Sequence, residues 1–319
     1  MAVYTEITNN QLDSFLTLYN VGKAISCKGI AEGVENTNYL LRTIDKNYIL
    51  TIYEKRVRLK DLPFFLGLMN HLSINKVPCP IPILSTESKL FNVIGDKPAA
   101  LISFLEGLCV DNPNENHCYQ VGNAMALMHK ESKSFSLERT NSLSISGWDQ
   151  ILNKLGKLPN TFKVGWSNVL KNEVTIINDI WPNNLPKGII HADLFPDNVF
   201  FINDTLSGLI DFYFACNDFL AYDIAIALNA WCFNKDGKYN KIKGKALIKG
   251  YESIRKLSNE EIQNLPVLAR GAAFRFLLTR LDDWLNQVDG AMVKPKDPLE
   301  FWEKLIFHKS IIDISEYGF

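Results

Sequence analysis

Between residues 25 and 55 short apolar segments alternate with turn residues. The stretch ISCKGIAEGVENTNYLLRTIDKNYILTIYEKR predicts three strands, parted across residues 29–38 and again at 45–47. TNYLLRT and NYILTIYE are rich in Tyr, Ile, Leu and Thr, side chains that pack well on a pleated surface. In DLPFFLGLMNHLSINK the period changes: Phe64, Phe65, Leu68, Met69 and Leu72 recur at helical spacing. VPCPIPIL ends that helix, since its three prolines lack a backbone donor. KPAALISFLEG reads as a last strand that leaves at Gly107.

Beyond this point the pattern turns helical. DNPNENHCYQVGNAMALMHKES offers a cap at Asp111 or Asn112, then Pro113, then helical spacing through Val121, Met125 and Met128. WSNVLKNEVTIINDIWP is a second helix, ended by Pro182. GIIHADLFPDNVFFI predicts a strand–turn–strand unit, closed by LSGLIDFYF. Four helical segments follow, over about 218–233, 241–255, 259–287 (with a break near Pro266) and 297–309. Ser258 and Glu261 make a capping box at one start. The expected fold class is α+β and bilobal. A small antiparallel β-rich region with one helix spans 1–103, and a larger, mainly helical region spans 104–319.

Composition narrows the class. The chain has 319 residues, 47% of them hydrophobic, enough for a large core and about two lobes. Basic and acidic residues balance at 34 and 35, so no global field favours nucleic acid or an anionic membrane. No C-x-x-C pair joins the six cysteines, which argues against structural zinc. MAVYTEITNN lacks the charged start and apolar run of a signal peptide, and no apolar stretch nears the ~20 residues of a spanning helix. The expectation is a cytoplasmic monomer or homodimer without nucleic-acid or membrane partners.

The candidate chemistry lies in the middle of the chain. Asp193 and Asn198 stand on the turn of GIIHADLFPDNVFFI, and Asp211 follows at the end of GLI. An ordinary turn needs no acid and amide at fixed spacing. Transfer of a phosphoryl group from ATP does: one carboxylate accepts the proton of the attacking hydroxyl, while a second carboxylate and an amide oxygen hold Mg2+. H-x-D-x-x-x-x-N followed by an apolar run into D-F is the pattern of a kinase catalytic loop and its metal-binding aspartate. KGIAEGVENTNYLLRT adds Gly29 and Gly33 between strand signals, a loop able to lie over phosphates with its N–H groups. His191 is read as a brace for the loop, Asp197 as a capping acid, and His129, Trp231 and Phe233 as core.

IIHADLFPDNVFF with LSGLIDFYFACNDFLAYDIA resembles the aminoglycoside-phosphotransferase and choline-kinase-like family, small-molecule kinases of protein-kinase-like fold. LMHK and VPCPIPI fit the same family. Within it, YILTIYEKR, DLPFFLGLM, HADLFPDNVFF, IDFYFACNDFLAYDIAIALNAWCF and RFLLTRL resemble the bacterial homoserine kinases, over residues 3–309. The resemblance implies transfer of the ATP γ-phosphate to the hydroxyl of L-homoserine. By that match Asp193 is the catalytic acid–base group, and Asn198 and Asp211 hold Mg2+. Gly29, Gly33, Asn36 and Asn38 belong to the nucleotide loop, and residues 103–105 (Ser103 and Leu105 at its ends) meet adenine. Asp223 supports the loop.

One departure stands out. Such kinases pair a cation on the third strand with a glutamate on the first lobe's helix, and here Thr51 and Phe65 take those places. Losing both is consistent, since a buried carboxylate without its cation is costly. Lys28, Arg42, Lys55 and Arg56 are the cations at hand for the phosphates. Homoserine also wants an arginine fork for its carboxylate. GAAFRFLLTRLDDWLNQ offers Arg275 and Arg280, and Tyr213 follows Asp211 closely enough to line the pocket.

Overall fold

The computed structural model describes residues 5–30, 36–54, 57–155, 166–286 and 296–319. Its N-terminal part is a five-stranded antiparallel sheet in the order β1-β2-β3-β5-β4. The strands are β1 (Ala24–Ile30), β2 (Thr37–Thr43), β3 (Asn47–Ile52), β4 (Asn92–Ile94) and β5 (Lys97–Ser103). Alternation along the strands sends Leu41, Leu50 and Leu101 to one face. There they form a small core with Leu12, Phe15 and Tyr19, which come from α1 (Asn9–Leu16) and the turn after it. The sequence reading gave this region one helix and overlooked α1, which buries only three of its eight residues. It also overlooked β4, whose three residues are too few for a period.

The opposite face of the sheet carries Asn38, Leu40, Ile49 and Thr51. Register places Lys28 across from Leu40, and Ser26 across from Arg42. Directly opposed residues share a face, so both cations lie on the face that bears Thr51. α2 (Leu62–Ile74) drives Phe65, Leu68 and Leu72 into a second, larger core. That core continues through α3 (Glu115–Glu131), α6 (Leu220–Trp231) and α8 (Asn259–Leu285).

The remaining helices are α4 (Ile145–Leu155), α5 (Trp166–Ile180), α7 (Lys241–Glu252) and α9 (Leu299–Ser310). α4 was not expected. α3 is capped by Asn114, not by Asp111 or Asn112. The Asn114 side chain accepts from the His117 N–H at 3.0 Å, and His117 Nδ1 accepts from the Asn114 N–H at 3.2 Å. A histidine in place of Glu or Gln hid this capping box. α8 runs unbroken through Pro266. Proline removes one helical hydrogen bond, but Leu265, Leu268 and Ala269 are fully buried beside it and hold the turn in register. Between α5 and α6 lie two antiparallel pairs: β6 (Lys187–Ile190) with β9 (Cys216–Phe219), and β7 (Val199–Ile202) with β8 (Thr205–Leu209). Among the described residues no helix is long and apolar enough to cross a membrane.

α9 docks on α6 through His308. Its Nε2 meets Asn229 Oδ1 at 3.0 Å, and its Nδ1 meets the Tyr317 hydroxyl at 2.7 Å. The Asn229 amide nitrogen already donates to two carbonyls, so His308 Nε2 is the donor and Nδ1 the acceptor. Burial, with help from the Lys304 charge, pushes the His308 pKa down to about 3. Unfolded, a histidine titrates near ~6.5. Between these values the unfolded chain binds a proton that the folded chain refuses. Stability is therefore expected to fall as pH drops from about 6.5 toward 3, by about 1.4 kcal/mol per pH unit from this residue. Urea unfolding at pH 7 and pH 5 checks this: a lower midpoint at pH 5 is expected, and an unchanged one would contradict it.

Candidate active site

The turn after β6 is held from below. Ala192 adopts φ 64°, a left-handed conformation that costs an alanine about 1–2 kcal/mol. Asp223 on α6 accepts the His191 and Ala192 N–H groups, each at 2.9 Å. Arg275 on α8 donates to the Ala192 carbonyl. Asp223 is fully buried and also bonds His129 Nε2 at 2.9 Å. Burial works to raise its pKa, yet the hydrogen bonds it accepts from the His129 ring and the His191 N–H hold it below the usual aspartate range.

His191 braces the loop from within. Its Nε2 lies 3.0 Å from the Ile210 carbonyl, a contact only an N–H makes. Nδ1 is thereby the acceptor for the Asp193 N–H, at 3.3 Å. Burial lowers the pKa of this ring, consistent with a neutral imidazole.

Ile210 is the joint of the site. Its carbonyl is taken by His191, and its N–H donates to the Asn198 carbonyl at 3.0 Å. Asp211 follows at once, with φ 63° and ψ 61°, a left-handed conformation that aspartate tolerates. The Asn198 amide nitrogen donates to the Asp193 carbonyl at 2.8 Å and to Asp193 Oδ2 at 3.1 Å. Both partners are acceptors, so the nitrogen is fixed toward Asp193 and the amide oxygen turns away from it. The structure thus ties Asp193 to Asn198, and Asn198 to the residue before Asp211. The donor set is an amide oxygen and a carboxylate, hard ligands that suit Mg2+. Among the described residues there is no cluster of three or more His, Cys, Asp or Glu able to hold a metal. Mg2+ beside a nucleotide needs no such cage, since phosphates and water fill its shell.

The residues expected in a nucleotide loop divide. Gly29 is exposed in β1. Gly33, with Lys55 and Arg56, lies outside the described residues. Asn36 is buried, and its side-chain oxygen accepts the Glu54 N–H at 3.4 Å; the Thr37 hydroxyl donates to Glu54 at 2.8 Å. These contacts anchor the end of the loop to the end of β3. Asn38 accepts the Thr51 hydroxyl at 2.9 Å. Ser103 exchanges backbone and hydroxyl bonds with Ile81, at 2.8 Å each. Leu105 rests on β8 at Gly208, where a Cβ would stand 2.9 Å from its side chain.

Thr51 and Phe65 are both buried and uncharged, so no ion pair joins β3 to α2 at these positions. Tyr213 lies in the seam between them: its hydroxyl is 3.0 Å from that of Tyr53, and its ring meets Phe65 edge-on at 5.6 Å. Arg275, expected as a carboxylate anchor, is only 2% exposed and sits beneath the turn of Ala192, with its guanidinium 4.5 Å over the Phe276 ring. A site in an apolar run made it look like a buried ligand-binding arginine; its partner is the backbone of Ala192. Arg280 bonds Glu300 at 2.6 Å and the Asp297 carbonyl at 2.9 Å. Tyr53 and Arg139 were missed by sequence reasoning. Arg139 lies 4.8 Å over the Phe65 ring and donates to the Ala215 carbonyl at 3.0 Å.

Residues 26–257 match the phosphotransferase enzyme family. The chain belongs to that family. Among its relatives is the homoserine kinase of Sinorhizobium medicae, 55% identical over 318 residues, covering 100% of this chain and 98% of the relative. The homoserine kinase of Agrobacterium fabrum is 54% identical, covering 100% and 99%. Among solved structures, an amicoumacin kinase in complex with AMP-PNP and Ca2+ superposes with a TM-score of 0.74 at 15% identity, covering 96% of this chain and 95% of that one. A spectinomycin phosphotransferase superposes at 0.68 and 14% identity, covering 98% of each chain. This phosphotransferase therefore has the bilobal, protein-kinase-like α+β fold: a small antiparallel sheet followed by a mainly helical part.

Proposed function

We propose that this phosphotransferase is a homoserine kinase, which moves the γ-phosphoryl group of ATP to the hydroxyl of L-homoserine and yields O-phosphohomoserine and ADP, a step toward threonine. The observation that carries the reading is 54–55% identity to homoserine kinases along the whole chain. Asp193 orients the homoserine hydroxyl and takes its proton as the oxygen attacks the γ-phosphorus. The bond from phosphorus to the β,γ-bridging oxygen breaks, and ADP keeps that electron pair. Asn198 and Asp211 would hold Mg2+, which draws charge off the phosphates when bound.

Gly29, Asn38 and the loop between them would cover the phosphates, and the backbone of residues 103–105 would receive adenine. Lys28 and Arg42, on the Thr51 face of the sheet, are assigned to the phosphate charge that a third-strand lysine would otherwise meet. Arg275 is buried under the loop while Arg280 is part-exposed, so Arg280 is the arginine assigned to the substrate carboxylate. Its partner Glu300 is shared with Lys304, which holds the other carboxylate oxygen.

The absent ion pair also suits a nucleotide-binding regulator without turnover. ADP release with Mg2+ and ATP, offered L-homoserine, choline, methylthioribose and kanamycin in turn, separates the readings. Turnover with homoserine alone is expected. Turnover with another acceptor overturns the substrate, and ATP binding without turnover on any of the four favours the regulator.

A further inference from the structure

Protein kinases require two things at once: an ion pair joining the third strand to the lobe helix, and the motif aspartate on its metal. That pair ties the nucleotide lobe to the chemistry. Here neither half exists, and the motif itself differs. Where kinases read D-F-G, this chain reads Asp211, Phe212, Tyr213.

Tyr213 reaches each of the vacated positions. Its hydroxyl bonds Tyr53, two residues beyond Thr51 and just past the end of β3, at 3.0 Å. Thr51 itself lies against the phenol. The Tyr213 ring meets Phe65, at the glutamate position on α2, edge-on at 5.6 Å, and meets Tyr53 at 5.5 Å. Arg139 caps the Phe65 ring at 4.8 Å and grips the backbone just past the motif at Ala215. Between Asp211 and Tyr213, Phe212 is fully buried against His191, 4.8 Å between ring centroids. Asp211 is thus held by the catalytic loop through its preceding residue and through Phe212, and by the nucleotide lobe through Tyr213. A tyrosine hydroxyl ionises only at about pH 10, so at neutral pH both are hydroxyls and the bond between them carries no charge.

We infer that the Tyr53–Tyr213 hydrogen bond, with the Phe65 ring, stands in for the missing ion pair, and that Tyr213 is a positioning residue that sets Asp211 relative to the nucleotide lobe. A pair of neutral hydroxyls inside an aromatic cluster avoids the cost of burying two charges. It also places the coupling two residues past the metal ligand.

The inference rests on the kinase reading, and wild-type turnover tests that reading separately. The linkage is tested by Tyr53→Phe, Tyr213→Phe and the double variant, each compared with wild type. Calorimetry of a non-hydrolysable ATP analogue, with and without Mg2+, supplies a readout that does not depend on turnover. Each single variant is expected to lose about 3–10-fold of the affinity gained from Mg2+, the scale of one hydrogen bond of about 0.5–1.5 kcal/mol. Metal-free nucleotide affinity should be unchanged. The double variant should match the singles, since both hydroxyls serve one bond. Tyrosine to phenylalanine keeps the ring, so the fold should persist. Two results would overturn the inference: single-variant losses that multiply in the double variant, or a lowered melting temperature with the Mg2+ gain intact.

Discussion

Asp193→Asn is expected to lower turnover with homoserine about 10²–10⁴-fold while ATP-analogue affinity stays within about threefold of wild type. The geometry favours this clean separation. Asp193 Oδ2 accepts from the Asn198 amide at 3.1 Å, and a substituted amide oxygen still accepts that bond. The Asp193 N–H on His191 and the Asp193 carbonyl on Asn198 belong to the backbone and survive as well. What disappears is the basic carboxylate. Steady-state kinetics with parallel calorimetry decides it: turnover within tenfold of wild type would remove Asp193 from the role of base.

Asp223→Ala is expected to cost about 3–5 kcal/mol of stability and most of the activity. Three buried donors meet this carboxylate: the His191 N–H, the Ala192 N–H and His129 Nε2, each at 2.9 Å. Bulk solvent does not reach them, because Asp223, His191 and His129 are at most 1% exposed. Unsatisfied buried donors carry their full desolvation penalty. The loss also releases the left-handed turn at Ala192, leaving Arg275 as its remaining clamp, so Asp193 loses its fixed position. Thermal unfolding and turnover are read together. A melting temperature within a degree or two of wild type would show that the three bonds do not hold the turn.

Much of this site was legible in the sequence because its signals are local. Asp193 and Asn198 sit on one turn between two apolar runs, and their spacing alone marks that turn as the candidate site. β2, β3 and α2 were equally plain, since each keeps one hydrophobic period. What escaped was either too short or too distant in the chain. β4 and α1 bury too few residues to set a period. The cap of α3 used His117 where the familiar box has an acid. Pro266 looked like a break because local rules cannot weigh the packing that holds α8 straight. The roles of Arg275 and Tyr213 depend on contacts across 83 and 160 positions, which no spacing rule anticipates.

The central claim is transfer of phosphate to the hydroxyl of homoserine, and the most direct measurement is the identity of the product. The protein incubated with L-homoserine, ATP and Mg2+, followed by phosphorus NMR and mass spectrometry, should accumulate O-phosphohomoserine in step with ADP. ADP appearing with inorganic phosphate instead, or phosphate on the amino or carboxyl group, would contradict the account.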